Sequence, residues 1–317
     1  MQVLLRERDL SDEYLRFAAQ VGADGLDFHN ERSLPGVAER GYVDERGMRA
    51  LLARLRRWGL GVHRVTPPRP YRFLRGEAGG DEDADTLCRT VEALGKAGVP
   101  FMSMPVHLRQ NAGFRGVARR MHRGGYRMNG FTEAAMRQSI AERPLEWTAA
   151  VLDDYFERCV RLYERVVPIA ETYDLRLVLH PSDPPLPDAE FSPRRWSRIL
   201  DAVPSAHSGL LYCVGTRYEA GVDIHDDIRA FGRRGTIFHV HFRNVRGQIP
   251  TTGGYEEVAL HDGDMNMFRV LQSLKAVGYD GGLQTDHLPV YDGDENSLMA
   301  SAYAVGYIKA LLAALET

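Results

Sequence analysis

The chain has 317 residues, 44% of them hydrophobic, enough to bury one large α/β core or two ordinary ones. A formal net charge of -3 and a pI near 6.4 leave no basic footprint for nucleic acid or an anionic membrane. Three widely separated cysteines, Cys88, Cys159 and Cys213, make no disulfide framework and point to a reducing compartment. The N-terminus is interrupted by Arg6, Glu7, Arg8 and Asp9, and no long apolar run is read further on, so a soluble, cytoplasmic protein is expected.

In chain order, β-rich runs at 1–6, 25–29, 60–65, 100–105, 175–180, 209–214, 237–242 and 281–286 read as strands. Helical patterns separate them. The first opens on a Ser or Asp cap, Ser11 or Asp12, and stops near Gly22, and the next two, DERGMRALLARLRRWG and DADTLCRTVEALGKAG, also close on glycine. A long amphipathic helix is predicted over 144–173, and SPRRWSRILDAV, DIHDDIRAFGRRG, MNMFRVLQSLKAVG and SAYAVGYIKALLAALE complete the set. Eight strands alternating with eight helices are the plan of a (β/α)8 TIM barrel, here a single domain over 1–317. A doubly wound open sheet is the runner-up, but no Gly-rich fingerprint follows the first strand. Two connections are long, 106–144 after strand four and 243–263 after strand seven. Both fall on the catalytic face, and the Arg- and Gly-rich 106–144 is expected to be a mobile basic cover or a solvated excursion.

Barrel chemistry sits at the C-terminal strand ends. Strand five ends in His180, strand six carries Cys213, strand seven carries His241 with His239 one inward layer below, and strand eight ends in Asp286 beside His287. Each alone reads as a core histidine, a small buried hydrophobe or a turn cap. Together, two imidazoles, a thiolate and a carboxylate make a ligand set for one first-row divalent metal. The thiolate argues against magnesium or calcium without separating manganese, iron and zinc. Arg243 offers a two-pronged donor for a carboxylate, or a surface ion pair. His29, His63 and His107 follow earlier strands and each alone reads as structural or exposed.

The stretches LHPSDPPLP (179–187), CVGTRYEAGVDI (213–224), IFHVHFRNV (237–245), YEEVALHDGDMNMFRVL (255–271) and TDH (285–287) resemble, in order and spacing, the D-mannonate dehydratase family. The resemblance implies a xylose-isomerase-like barrel that converts D-mannonate to 2-keto-3-deoxy-D-gluconate with manganese or ferrous iron. It puts the metal ligands on His180, Cys213, His241 and Asp286, proton transfer on His287, and substrate oxygens on Arg243 and Asn244. The N-terminal half matches only weakly, as in MPV at 104–106. Leu288 and Pro289 stand where the family has a glycine after its Asp-His. The family's catalytic tyrosine before the last helix aligns with Ala302, so Tyr303 is the nearest candidate, turned by ~100° on a helix.

Dehydration of a sugar acid needs a base for the proton beside the carboxylate and an acid for the departing hydroxyl. His287 is assigned as base or acid, with Tyr303 as its partner. On strict alternation His287 faces away from Asp286, so the chain must leave strand geometry at the barrel mouth. The alternatives are a metal-dependent sugar or sugar-acid isomerase or epimerase, and a catalytically silent sugar-acid-binding barrel. A small-molecule sugar acid is the expected partner, with a homo-oligomer left open.

Overall fold

Twelve strands occur among the described residues of this computed structural model, which are 1–108, 116–142, 149–187 and 189–316. They are β1 (Gln2–Arg6), β2 (Gly25–Phe28), β3 (Gly61–Val65), β4 (Phe101–Ser103), β5 (Val117–Met121), β6 (Arg127–Thr132), β7 (Arg176–Leu179), β8 (Ser208–Cys213), β9 (Ile237–His241), β10 (Asn244–Arg246), β11 (Gly254–Val258) and β12 (Gly282–Gln284). Eight of them, β1, β2, β3, β4, β7, β8, β9 and β12, pair in parallel and close on themselves, with β12 returning to β1. The eight strands read from the sequence are these eight.

Their composition explains the closure. Val3, Leu4 and Leu5 are all buried on β1 and every residue of β8 is buried, as parallel strands covered on both faces require. Helices form the outer layer. Ser11, Asp44, Asp223 and Asn266 cap four of them by accepting from backbone N–H groups of the first turn. The long helix Ala149–Thr172 lays Leu152, Tyr155, Phe156, Cys159, Leu162, Tyr163 and Val166 inward at helical spacing. The helix expected over 192–203 is shorter, Arg198–Ala202. Trp196 lies just before it and donates its Nε1–H to the Leu179 carbonyl, which ties this stretch to the end of β7. A helix not foreseen, Val214–Glu219, starts directly after β8.

The described parts of the two long connections are not loose loops. β5, β6, β10 and β11 form a four-stranded antiparallel sheet in the order β10-β11-β6-β5, drawn from both connections. Phe131 faces Val117 on one side and Tyr255 on the other, and Phe131, Ile249 and Tyr255 share a small core. The 109–115 and 143–144 parts of the expected cover lie outside the described residues. The last helix, Leu298–Glu316, turns Ala300, Ala304, Val305 and Ile308 inward, and Lys309 donates to Asp24 at 2.7 and 2.8 Å. Contrary to the sequence reading, the stretch Glu295–Glu316 is long and apolar enough to cross a membrane by length and composition.

Candidate metal centre

Strand register decides which donors meet. Cys213 on β8 is level with His241 on β9, and His241 is level with Gln284 on β12, two residues before Asp286. One ligand atom from each of His180, Cys213, His241 and Asp286 lies within 4.8 Å of the others. Each donor has a defined state. His180 Nδ1 is 2.5 Å from the Pro181 carbonyl, which can only accept, so Nδ1 carries the proton and Nε2 keeps its lone pair. Thr216 Oγ1 donates to the Cys213 sulfur at 3.1 Å. Burial pushes the Cys213 thiol up to about 12, against the pull of Arg243. Among the described residues neither ring nitrogen of buried His241 has a hydrogen-bond partner, and Nδ1 stands 3.3 Å from Asp286 Oδ2. Burial holds His241 well below its ordinary range despite Asp286. It also opposes ionisation of Asp286, yet His241, His287 and Arg243 hold that carboxyl well below its usual range. A buried, neutral imidazole with orphaned nitrogens beside a carboxylate and a sulfur suits a first-row divalent metal.

Asp286 also brings His287 into the site. Its φ is +50°, a left-handed conformation unusual outside glycine, with its N–H donating to Gln284 Oε1 at 2.7 Å. The strand has ended at Gln284, so Asp286 and His287 both line one cavity of about 300 Å³. His287 Nδ1 lies 2.6 Å from Glu257 Oε1 on β11, and Nε2 lies 3.7 Å from Asp286 Oδ1. Burial opposes its charge, but Asp286 and Glu257 prevail and raise it to about 9.

Three expected residues do other work. Arg243 is 1% exposed and does not line the cavity. Its guanidinium reaches Glu219 at 2.5 Å, Asp183 and Thr216 at 2.8 Å and Asp286 at 3.1 Å, so it clamps the carboxylates of the site. Asn244 spends its amide on the Leu260 and Met265 carbonyls and its oxygen on two backbone N–H groups, pinning the 243–263 connection. Tyr303 lies outside the cavity, its hydroxyl 2.6 Å from His261 Nδ1 and its ring beside Tyr307. One residue of helical slip turns it away.

Sequence reasoning missed the acids around the ligands, Asp183, Glu219 and Glu257, although all three stand in or beside the stretches quoted above. It also missed the polar interior of the barrel. His239 does fill the layer beneath His241, with Nε2 2.9 Å from Asp27 and Nδ1 3.1 Å from His63 Nδ1. Arg64 donates to Asp27 at 3.0 Å. A carboxylate amid the apolar GLDF strand and a histidine beside an arginine in GVHRV were the available signals.

A family model described as D-mannonate dehydratase (UxuA) matches residues 127–317, more than half of the chain. The chain belongs to that family. The mannonate dehydratase of Thermotoga maritima is 32% identical over 140 residues, which cover 42% of this chain and 38% of that protein. The chain thus matches well under half the length of this relative. Among solved structures, the mannonate dehydratase of Streptococcus suis serotype 2 superposes with a TM-score of 0.80 at 20% identity, over 98% of this chain and 92% of that one. A xylose isomerase domain protein from Alicyclobacillus acidocaldarius gives 0.66 at 16% identity over all of both chains. The xylose-isomerase-like barrel is common to them. Residues 1–126 of this D-mannonate dehydratase family member lie outside the family match.

Proposed function

We propose that this chain removes water from a sugar acid, D-mannonate to 2-keto-3-deoxy-D-gluconate, with one divalent metal, manganese or ferrous iron. His180, Cys213, His241 and Asp286 would hold it. The observation that carries the reading is the convergence of those four donor atoms within 4.8 Å, with neither nitrogen of His241 hydrogen-bonded among the described residues. When bound, the metal supplies Lewis-acid stabilisation for negative charge that builds on the substrate carboxylate. The remaining work belongs to side chains. Pro181 orients His180, and Arg243 holds Asp286 from behind while balancing Glu219 and Asp183. Glu257 holds His287 Nδ1, which leaves Nε2 to exchange a proton with the substrate, as base at carbon or acid at the departing hydroxyl. Val117 and Asn129 of the small sheet line the cavity, which supports the 106–144 connection as its cover within a single 1–317 domain. The reading is of a cytoplasmic enzyme whose partner is a small-molecule sugar acid, with neither nucleic acid nor membrane.

A second reading, epimerisation or isomerisation on the same metal, is favoured by one observation. Tyr303 is bonded to His261 outside the cavity rather than presented to a substrate. Incubation with D-mannonate and added manganese separates the two. Dehydration yields a positive colour test for a 2-keto-3-deoxy acid, epimerisation changes only chromatographic retention, and no change with any aldonate defeats both. Cys213→Ser and His241→Ala are expected to lose bound metal, and full metal content in either variant overturns the ligand set.

A further inference from the structure

We propose that His29 binds the substrate, as a neutral imidazole whose Nδ1–H is reserved for a hydroxyl or carboxylate oxygen of the sugar acid. The proposal rests on the functional reading above for its ligand, but its structural core is independent of it. His29 follows β2 directly and lines the cavity with a side chain 16% exposed. Its ring stacks on that of His241, with centroids 5.6 Å apart and planes 17° from parallel, so it stands beside the metal cluster. It lies in the part of the chain, residues 1–126, that the family match does not reach.

The tautomer is dictated by its neighbour. His29 Nε2 is 2.7 Å from Arg64 Nη2, and a guanidinium can only donate. Asp27 Oδ2, the acceptor near the same nitrogen, is 3.7 Å away and beyond hydrogen-bond distance, so Nε2 holds a lone pair towards Arg64 and the single ring proton is assigned to Nδ1. Arg64 has no freedom to turn away. Its Nε donates to Asp27 at 3.0 Å, and Nη1 donates to Thr66 Oγ1 at 2.9 Å and Ser103 Oγ at 2.6 Å, with the side chain 3% exposed. The backbone is held too, since the N–H groups of His29 and Asn30 both donate to Glu7, at 2.9 and 2.5 Å. Among the described residues Nδ1 makes no hydrogen bond, and it is not one of the buried polar atoms that lack a partner. A donor so oriented, open to the cavity and next to the metal ligands, is complementary to an oxygen acceptor and needs no reorganisation to meet it.

The test uses the zinc-loaded protein, because zinc suits this donor set and is diamagnetic. The ¹⁵N spectrum of labelled histidines should show His29 with a protonated Nδ1 and a bare Nε2, and D-mannonate should move the Nδ1 signal while Nε2 stays. His29→Phe, which keeps the stacking and loses the donor, should bind D-mannonate about tenfold more weakly in calorimetry, roughly one neutral hydrogen bond. His29→Asn places an amide near the Nδ1 position and should recover most of that loss, whereas His29→Gln should not. Zinc content should equal wild type in all three. A proton on Nε2, full affinity in His29→Phe, or loss of zinc from it overturns the assignment. A wild-type protein that binds no aldonate removes the ligand proposed here through the failure of the functional reading, and the tautomer in the spectrum tells the two failures apart.

Discussion

Arg243 neutralises carboxylates from three parts of the chain, Asp183 after β7, Glu219 at the end of a short helix and Asp286 after β12. Even beside it, burial pushes Glu219 up to about 8. Arg243→Met keeps the stem and removes the charge, leaving buried carboxylates unpaired, at an expected cost of about 3–5 kcal/mol. Urea unfolding measures this, and an unchanged midpoint would mean that the acids have other partners. Acid sensitivity follows from the buried histidines. Burial, then His239, holds His63 down to about 3, and burial, then Arg64, holds His29 down to about 4. Both are neutral in the fold, while the unfolded chain takes up protons near the ordinary 6.5. Their contribution is therefore fully present above that value and is lost as pH falls through it toward 4 and 3. His63→Gln should flatten the decline of the unfolding temperature between pH 6.5 and 4; an equal slope would place the acid sensitivity elsewhere.

Among elements, the small antiparallel sheet depends on close backbone approach. Gly254 is level with Thr132, and a Cβ added there would press into the Phe131 carbonyl. Gly254→Ala should weaken the β6–β11 pairing by roughly 1–3 kcal/mol. The expected readout is faster amide exchange over β5, β6 and β11 with the barrel strands unaltered; a uniform increase would show that the sheet does not open by itself. Glu257 rides on β11, so His287 loses its fixed partner in the same variant and turnover should fall. Within the 106–144 connection β5 and β6 pair with each other, but the sheet is completed by β11 and β10 in 244–258, more than a hundred residues away. Local composition carries no sign of such a pairing.

For the whole molecule, the barrel brings donors that are dispersed over 107 positions, from His180 to Asp286, onto one rim. A cation that binds only this assembled rim stabilises the fold, by about 2.7 kcal/mol at a hundredfold excess over its Kd. Added manganese should therefore raise the unfolding temperature by several degrees, a chelator should reverse the gain, and Cys213→Ser should show a smaller one. No shift in the wild type would remove the metal centre from the account. The apolar C-terminal helix belongs to this scale as well. Its composition alone passes for a membrane span, whereas in the fold one side packs on the barrel and Lys309 is tied to Asp24.

The eight strands, their order and the four metal-capable strand ends were legible in the sequence, because short β-rich apolar runs and the turn residues that bound them are local properties of the chain. The direction of His287 was not, since it depends on one left-handed residue, Asp286. Nor were the employment of Arg243 and Asn244, the turn of Tyr303, and the array of Asp27, Arg64 and His29. A motif names side chains that are able to bind or react. Their partners come from strands remote in sequence, and only tertiary packing decides which donors are already spent and which still face the cavity.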